Sequence, residues 1–250
     1  YLSCLWLTPQ MDRLFIDAAS TRRRFLDRLV FTFDSGHAGR MTRYENALSQ
    51  RSRLLKEGRI EPVWLDSLEM QMAESGVAVA AARADFLMKL QHVCRARGGA
   101  DFPVAELDLA GALERSLLTM SALQVEDDFK KSLHVSRAED AVYGGAAKGP
   151  HKTDFLVTYA DKKMPAGQCS TGEQKALLIG IVLAQADLIA SNHGAPPILL
   201  LDEVAAHLDG NRRAALFENL SHIGGQVWMT GTDKVLFDGI GNKASFFPLE

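Results

Sequence analysis

The segment Ile198-Leu-Leu-Leu-Asp-Glu203 constrains this chain more than any other. Four β-favouring apolar residues in a row show no alternation, which suits a buried strand of a parallel sheet, and two adjacent carboxylates close its C-terminal end. In open α/β sheets ligands bind at that edge. Asp202 there has the hard oxygen donor that Mg²⁺ takes, directly or through water, and Glu203 has the acid that can orient an attacking water. An acid pair at a strand end is often only a solvated edge.

Upstream lies Cys169-Ser-Thr-Gly-Glu-Gln-Lys175. Ser170 and Glu173 have the spacing of a capping box, Gly172 stands between them, and an apolar segment from Ala176 to Ala190 follows, so a buried helix begins here. The N-terminus of such a helix offers free N–H groups and a positive dipole end to an anion such as a terminal phosphate. A capping box alone is most often only a cap. The order of the two segments, with Asp209 beyond Asp202, is what favours a nucleotide site over two unrelated features.

With 250 residues, 47% of them apolar and 24% charged, the chain can bury the core of one or two domains. No continuous apolar run reaches the length of a membrane span, and no basic region followed by an apolar core opens the chain. Cys4, Cys94 and Cys169 are odd in number and far apart, which fits a reducing cytoplasm better than a disulfide framework. The net charge of −3 is uneven: residues 1–60 hold 11 Lys+Arg against 6 Asp+Glu, and the rest hold 17 against 25. A basic first quarter can face nucleic acid, and ordinary solvated helix faces produce the same bias.

Taken in order, Tyr1–Leu7 reads as an internal strand ended by Thr8-Pro9. Met11–Asp17 and Ser20–Phe33 read as helices. The second has Phe25, Leu26, Leu29 and Val30 on one side and Arg22, Arg23, Arg24 and Arg28 on the other. A charged helix over Arg40–Lys56 stops at Gly58, and a long one runs from Pro62 to Gly98-Gly99. Val104–Leu109 is a short strand and Leu113–Leu133 further helix. After Gly144-Gly145 come Gly149-Pro-His-Lys-Thr-Asp154, an alternating strand through Phe155, Val157 and Tyr159, and a turn at 161–165. His151 lacks a second metal-binding residue at suitable spacing, so a structural hydrogen-bonding role is expected. Asn211–Ser221 is a helix and Gln226–Met229 a strand ending at Thr230-Gly-Thr-Asp233. No Gly-Lys dipeptide occurs, so a phosphate-binding G-x-x-x-x-G-K-[S/T] loop is not among these residues. With a strand already under way at the first residue, the chain reads as one that starts inside a domain.

Cys169-Ser-Thr-Gly-Glu173 resembles the ABC-type signature, Leu199-Leu-Leu-Asp-Glu203 a Walker B strand, and Ala205-Ala-His-Leu-Asp209 the D-loop behind it. With Leu7–Met11, Arg22-Arg-Arg-Phe-Leu-Asp27, Gly149–Asp154 and Gly225–Asp233, the chain resembles the RecF family, DNA-repair relatives of the SMC proteins. The resemblance implies an α/β fold: part of an ABC-type P-loop ATPase head over residues 1–37 and 144–250, with a helical lobe over 38–143. It places the Walker A loop before the first residue, which makes the chain a fragment inactive on its own.

It also implies ATP and Mg²⁺ as cofactors, with Asp202 and Gln10 toward the metal, Glu203 and Asp202 catalytic, and Ser170, Thr171, Gly172, Glu173, Gln10 and Asp209 on the nucleotide. Arg22, Arg23 and Arg24 are the candidate DNA contacts, and Thr230, Thr232 or Asp233 stand where transporters have a switch histidine. The partners implied are gapped, single-stranded or junction DNA, a second copy joined by ATP, and RecO and RecR in replication, gap repair and the SOS response, with no membrane. A non-catalytic DNA- or partner-binding module derived from such a head is the alternative. A transporter subunit is disfavoured by the missing histidine and by the Gly-Pro-His and Arg-Arg-Phe-Leu-Asp stretches.

Overall fold

The structure, a computed structural model, describes residues 3–58, 61–99, 102–206 and 208–248. In chain order the elements are β1 (Cys4–Leu7), a 3-10 turn (Pro9–Arg13), α1 (Ala19–Phe33), α2 (His37–Lys56), α3 (Pro62–Arg97), β2 (Ala105–Ala110), α4 (Ala112–Ser116), α5 (Ala122–Val135), α6 (Arg137–Tyr143), β3 (Asp154–Tyr159), β4 (Met164–Pro165), α7 (Thr171–His193), β5 (Ile198–Leu201), α8 (Gly210–Ile223), β6 (Val227–Met229) and a closing 3-10 stretch (Lys234–Lys243). The chain divides into two compact units, one of Tyr1–Asp17, Lys89–Leu107 and Val157–Glu250, the other of Ala18–Met88 and Asp108–Leu156. In the second unit α1 meets β3, where Phe25 stacks on Phe155 with ring centroids 6.3 Å apart.

In the first unit β1, β5 and β6 form a parallel sheet with β5 in the middle. Leu5, Leu7, Leu199 and Leu201 are buried on one face. The other face carries Trp6, Leu200 and Trp228, aligned by register and 38%, 41% and 57% exposed. The apolar run of β5 predicted cover on both faces, whereas among the described residues only one face is closed. α7 is buried nearly all round, as its apolar composition requires. By length and composition it could cross a membrane, so the reading of no such segment needs correcting, but it is the core helix of this unit.

In the second unit α2, α3 and α5 pack Tyr44, Leu54, Leu65, Met72, Phe129 and Leu133 into one core. Gly76 in α3 faces the rings of Tyr44 and Phe129, and a methyl group there would meet them at 3.1 and 3.2 Å. The fully buried Arg51 threads this core, donating to Glu69 of α3 at 2.9 Å, Asp140 of α6 at 2.7 Å and the Leu133 carbonyl at 2.6 Å. Arg137 donates to both oxygens of Glu69, so no buried charge here stands alone. The expected continuous helix over Leu113–Leu133 is instead α4 and α5, because Ser121 and Gln124 form a capping box that starts a new helix. The expected helix over Met11–Asp17 is only the 3-10 turn with Pro9 at its start. Strands β2, β3 and β4 form a second sheet in that order, β3 and β4 antiparallel. Tyr1 and Leu2, read as the start of the first strand, lie outside the described residues.

Candidate nucleotide site

Parallel register brings the ends of β1, β5 and β6 to one edge. Leu7, Leu201 and Met229 stand side by side, the Asp202 N–H donates to the Leu7 carbonyl at 2.9 Å, and the Thr230 N–H donates to the Leu201 carbonyl at 3.1 Å. The residues that follow each strand, Thr8–Gln10, Asp202–Glu203 and Thr230, therefore leave the sheet together. Asp202 is exposed and takes the Thr230 hydroxyl on Oδ1. The same hydroxyl oxygen accepts the Glu203 N–H at 3.0 Å. Glu203 has φ +53, a left-handed conformation uncommon outside glycine and concentrated at functional sites. Gln10 is exposed on the 3-10 turn, its Oε1 in a long contact of 3.5 Å with the Thr8 hydroxyl. An exposed carboxylate at an open sheet edge suits a hard cation such as Mg²⁺.

Ser170 is exposed and caps α7: its Oγ accepts the Glu173 N–H at 3.4 Å and Glu173 Oε2 accepts the Ser170 N–H at 2.9 Å. Lys162 pairs with the other Glu173 oxygen. That ammonium, then the Ser170 N–H and hydroxyl, hold the Glu173 carboxyl at about 2. Thr171 is exposed beside Ser170, and Gly172 faces Arg212, whose guanidinium would be 3.8 Å from an added methyl. Asp209 is the N-cap of α8, accepting the Arg212 N–H at 2.9 Å. His207 lies outside the described residues. Of the switch candidates, Thr230 is tied to the acid pair, whereas Asp233 caps the closing 3-10 stretch by accepting the Val235 N–H.

Lys175, two residues beyond Glu173 on α7, is a residue to which the sequence alone assigns no role. It is buried, and its Nζ donates to Asp12 Oδ2 at 3.3 Å and to the Glu203 carbonyl at 3.2 Å. Nothing in local spacing marks it, because both partners come from distant segments.

In the other unit, Arg22 makes a bidentate pair with Asp154, both contacts 2.7 Å, and Arg23 donates to the Thr153 carbonyl at 2.9 Å. Of the three candidate arginines only Arg24 is exposed. The Gly-Pro-His-Lys-Thr-Asp stretch thereby gains a physical account. His151 Nε2 donates to the Ala146 carbonyl at 2.9 Å, which leaves Nδ1 to accept the Tyr44 hydroxyl at 2.6 Å. Burial lowers the His151 pKa below its ordinary value, keeping the ring neutral as this pairing needs. Arg83 donates to the Pro150 carbonyl and to both oxygens of Asp27. Burial pushes the Asp27 carboxyl up, and hydrogen bonds from His37 and Arg83 outweigh it, leaving the pKa lowered. One further group with metal-ligand geometry, Asp66, Glu69 and His134, is occupied by Arg137 on both carboxylates.

A parallel sheet whose middle strand ends in an acid pair, with the capped helices α7 before and α8 after that strand, defines an α/β protein of the class that binds ligands at one sheet edge. A solved structure of the recombination mediator protein RecF, described as RecF-ATPrS in the RecFOR pathway, has this fold, with a TM-score of 0.77 over 94% of this chain and 63% of that one at 20% identity. No family model matches. The DNA replication and repair protein RecF of Agrobacterium fabrum is 50% identical over 248 residues, 99% of this chain and 66% of that protein. RecF of Allorhizobium ampelinum is 47% identical over 251 residues, 100% of this chain and 67% of that protein. The chain belongs to the RecF family, and it spans just under two thirds of the length of the Agrobacterium relative.

Proposed function

We propose that this chain carries the Walker B and signature parts of a RecF-type, DNA-binding ATPase of recombinational gap repair, acting in the cytoplasm. The observation that supports the reading best is the single sheet edge from which Gln10, Asp202, Glu203 and Thr230 emerge. In this reading Asp202, assisted by Gln10, would hold Mg²⁺, which would supply charge neutralisation at the phosphates. Glu203 accepts the hydrogen bond of the attacking water and points it at the terminal phosphate. Ser170, Thr171 and Gly172 present the start of α7, backed by Glu173, to the nucleotide of a second copy, with Asp209 at the D-loop beside them. ATP then closes a homodimer on gapped, single-stranded or junction DNA, hydrolysis reopens it, and RecO and RecR act with it to load recombinase. Residues 1–37 and 144–250 serve as head and 38–143 as helical lobe. Of Arg22, Arg23 and Arg24, Arg24 is the one exposed to meet a phosphate, since Arg22 and Arg23 are engaged within the fold.

The test is Glu203→Gln in a full-length protein bearing this sequence. Turnover should fall at least about a hundredfold while ATP-dependent dimerisation persists, because the amide keeps the shape and loses the acceptor charge. Unchanged turnover would remove Glu203 from the chemistry.

A further inference from the structure

We infer that Lys175 is a positioning residue that sets the backbone of Glu203 and ties the acid pair to the signature helix of the same chain. A buried ammonium persists only where acceptors meet it, and those of Lys175 are unusual in their placing. One is Asp12, two residues beyond Gln10 on the same 3-10 turn, and the other is the main-chain carbonyl of Glu203. Glu203 is thus held at both ends of its peptide plane pair, its N–H by the Thr230 hydroxyl and its C=O by Lys175. A left-handed glutamate is costly unless the surroundings over-determine it, and these two bonds do so. Lys175 lies five residues after Ser170 on a helix whose first turn is fixed by its capping box. A displacement of α7 by a phosphate engaging Ser170 would therefore carry Lys175, and through it the Gln10 turn and the direction of the Glu203 side chain. One chain's signature contact would in this way report to its own acid.

This inference rests on the reading of Glu203 as the water-orienting acid, and the experiment separates the two. In the full-length protein bearing this sequence, Lys175→Met should lower kcat about tenfold or more with KM for ATP and ATP-driven dimerisation little changed. Lys175→Arg should recover most of the rate. On a Glu203→Gln background Lys175→Met should have no further effect, since it acts through that side chain. Undiminished turnover in Lys175→Met, or a further equal loss on the Glu203→Gln background, would overturn the inference. If Glu203→Gln alone leaves turnover intact, the catalytic reading fails by itself. Positioning is then decided in the 250-residue chain by amide exchange: Lys175→Met, or Lys175→Gln should the first variant not fold, should speed exchange at Glu203–Ala206 about tenfold, and unaltered exchange there refutes it.

Discussion

Gly149 adopts φ +135, and a methyl group on it would sit 2.2 Å from the Tyr44 hydroxyl and 3.0 Å from His151 Nδ1. Both the conformation and the space exclude a side chain, so Gly149→Ala should destabilise the helical unit by about 3 kcal/mol, read from the urea midpoint. Tyr44→Phe leaves the buried His151 Nδ1 without its donor and should cost about 1–2 kcal/mol by the same measurement. In the double variant the phenol oxygen that meets the new methyl is gone, so the combined loss should be smaller than the sum. The need for glycine at 149 is invisible from its neighbours in sequence, since Tyr44 lies 107 positions from His151. Asp154 likewise has a role only once the fold brings Arg22 to it across 132 positions.

Elements whose determinants are local were legible. The capping box at Ser170 and Glu173 starts α7, Gly58 at φ +66 follows the end of α2, and the apolar run before Asp202 is a strand. The signal at Ser121 and Gln124 has the same form as the one at Ser170 and could have divided α4 from α5; the apolar periodicity across it masked the break. Both the Gln10 turn and Thr230 depend on the register of β1 and β6 against β5, which no single segment specifies. At the start of α7, Glu173 is held at about 2 against an ordinary 4.5. A carboxyl with a depressed folded-state value lends stability that is complete above 4.5 and is lost as the pH falls toward about 2. Urea titrations over that window should show the native chain declining relative to Glu173→Gln. Added salt should narrow the difference, because Lys162 is solvent-accessible.

For the whole molecule, no glycine-lysine step is present to cradle a triphosphate, so calorimetry of the 250 residues with ATP and Mg²⁺ should detect no micromolar binding. The row of Trp6, Leu200 and Trp228 is an apolar strip across a parallel sheet. Such strips promote association, and Leu200→Thr combined with Trp228→Ser should reduce concentration-dependent self-association in sedimentation velocity. Within the helical unit, Glu69 answers Arg51 from α2 and Arg137 from α6 at once. Inserting one residue in α3 between Glu69 and Gly76 would rotate one of these positions by about 100° relative to the other, so the Arg51 cluster and the seat of Tyr44 could not both survive. Relatives that lengthen or shorten this stretch of helix must therefore do so by close to whole turns, or replace the arginines along with it.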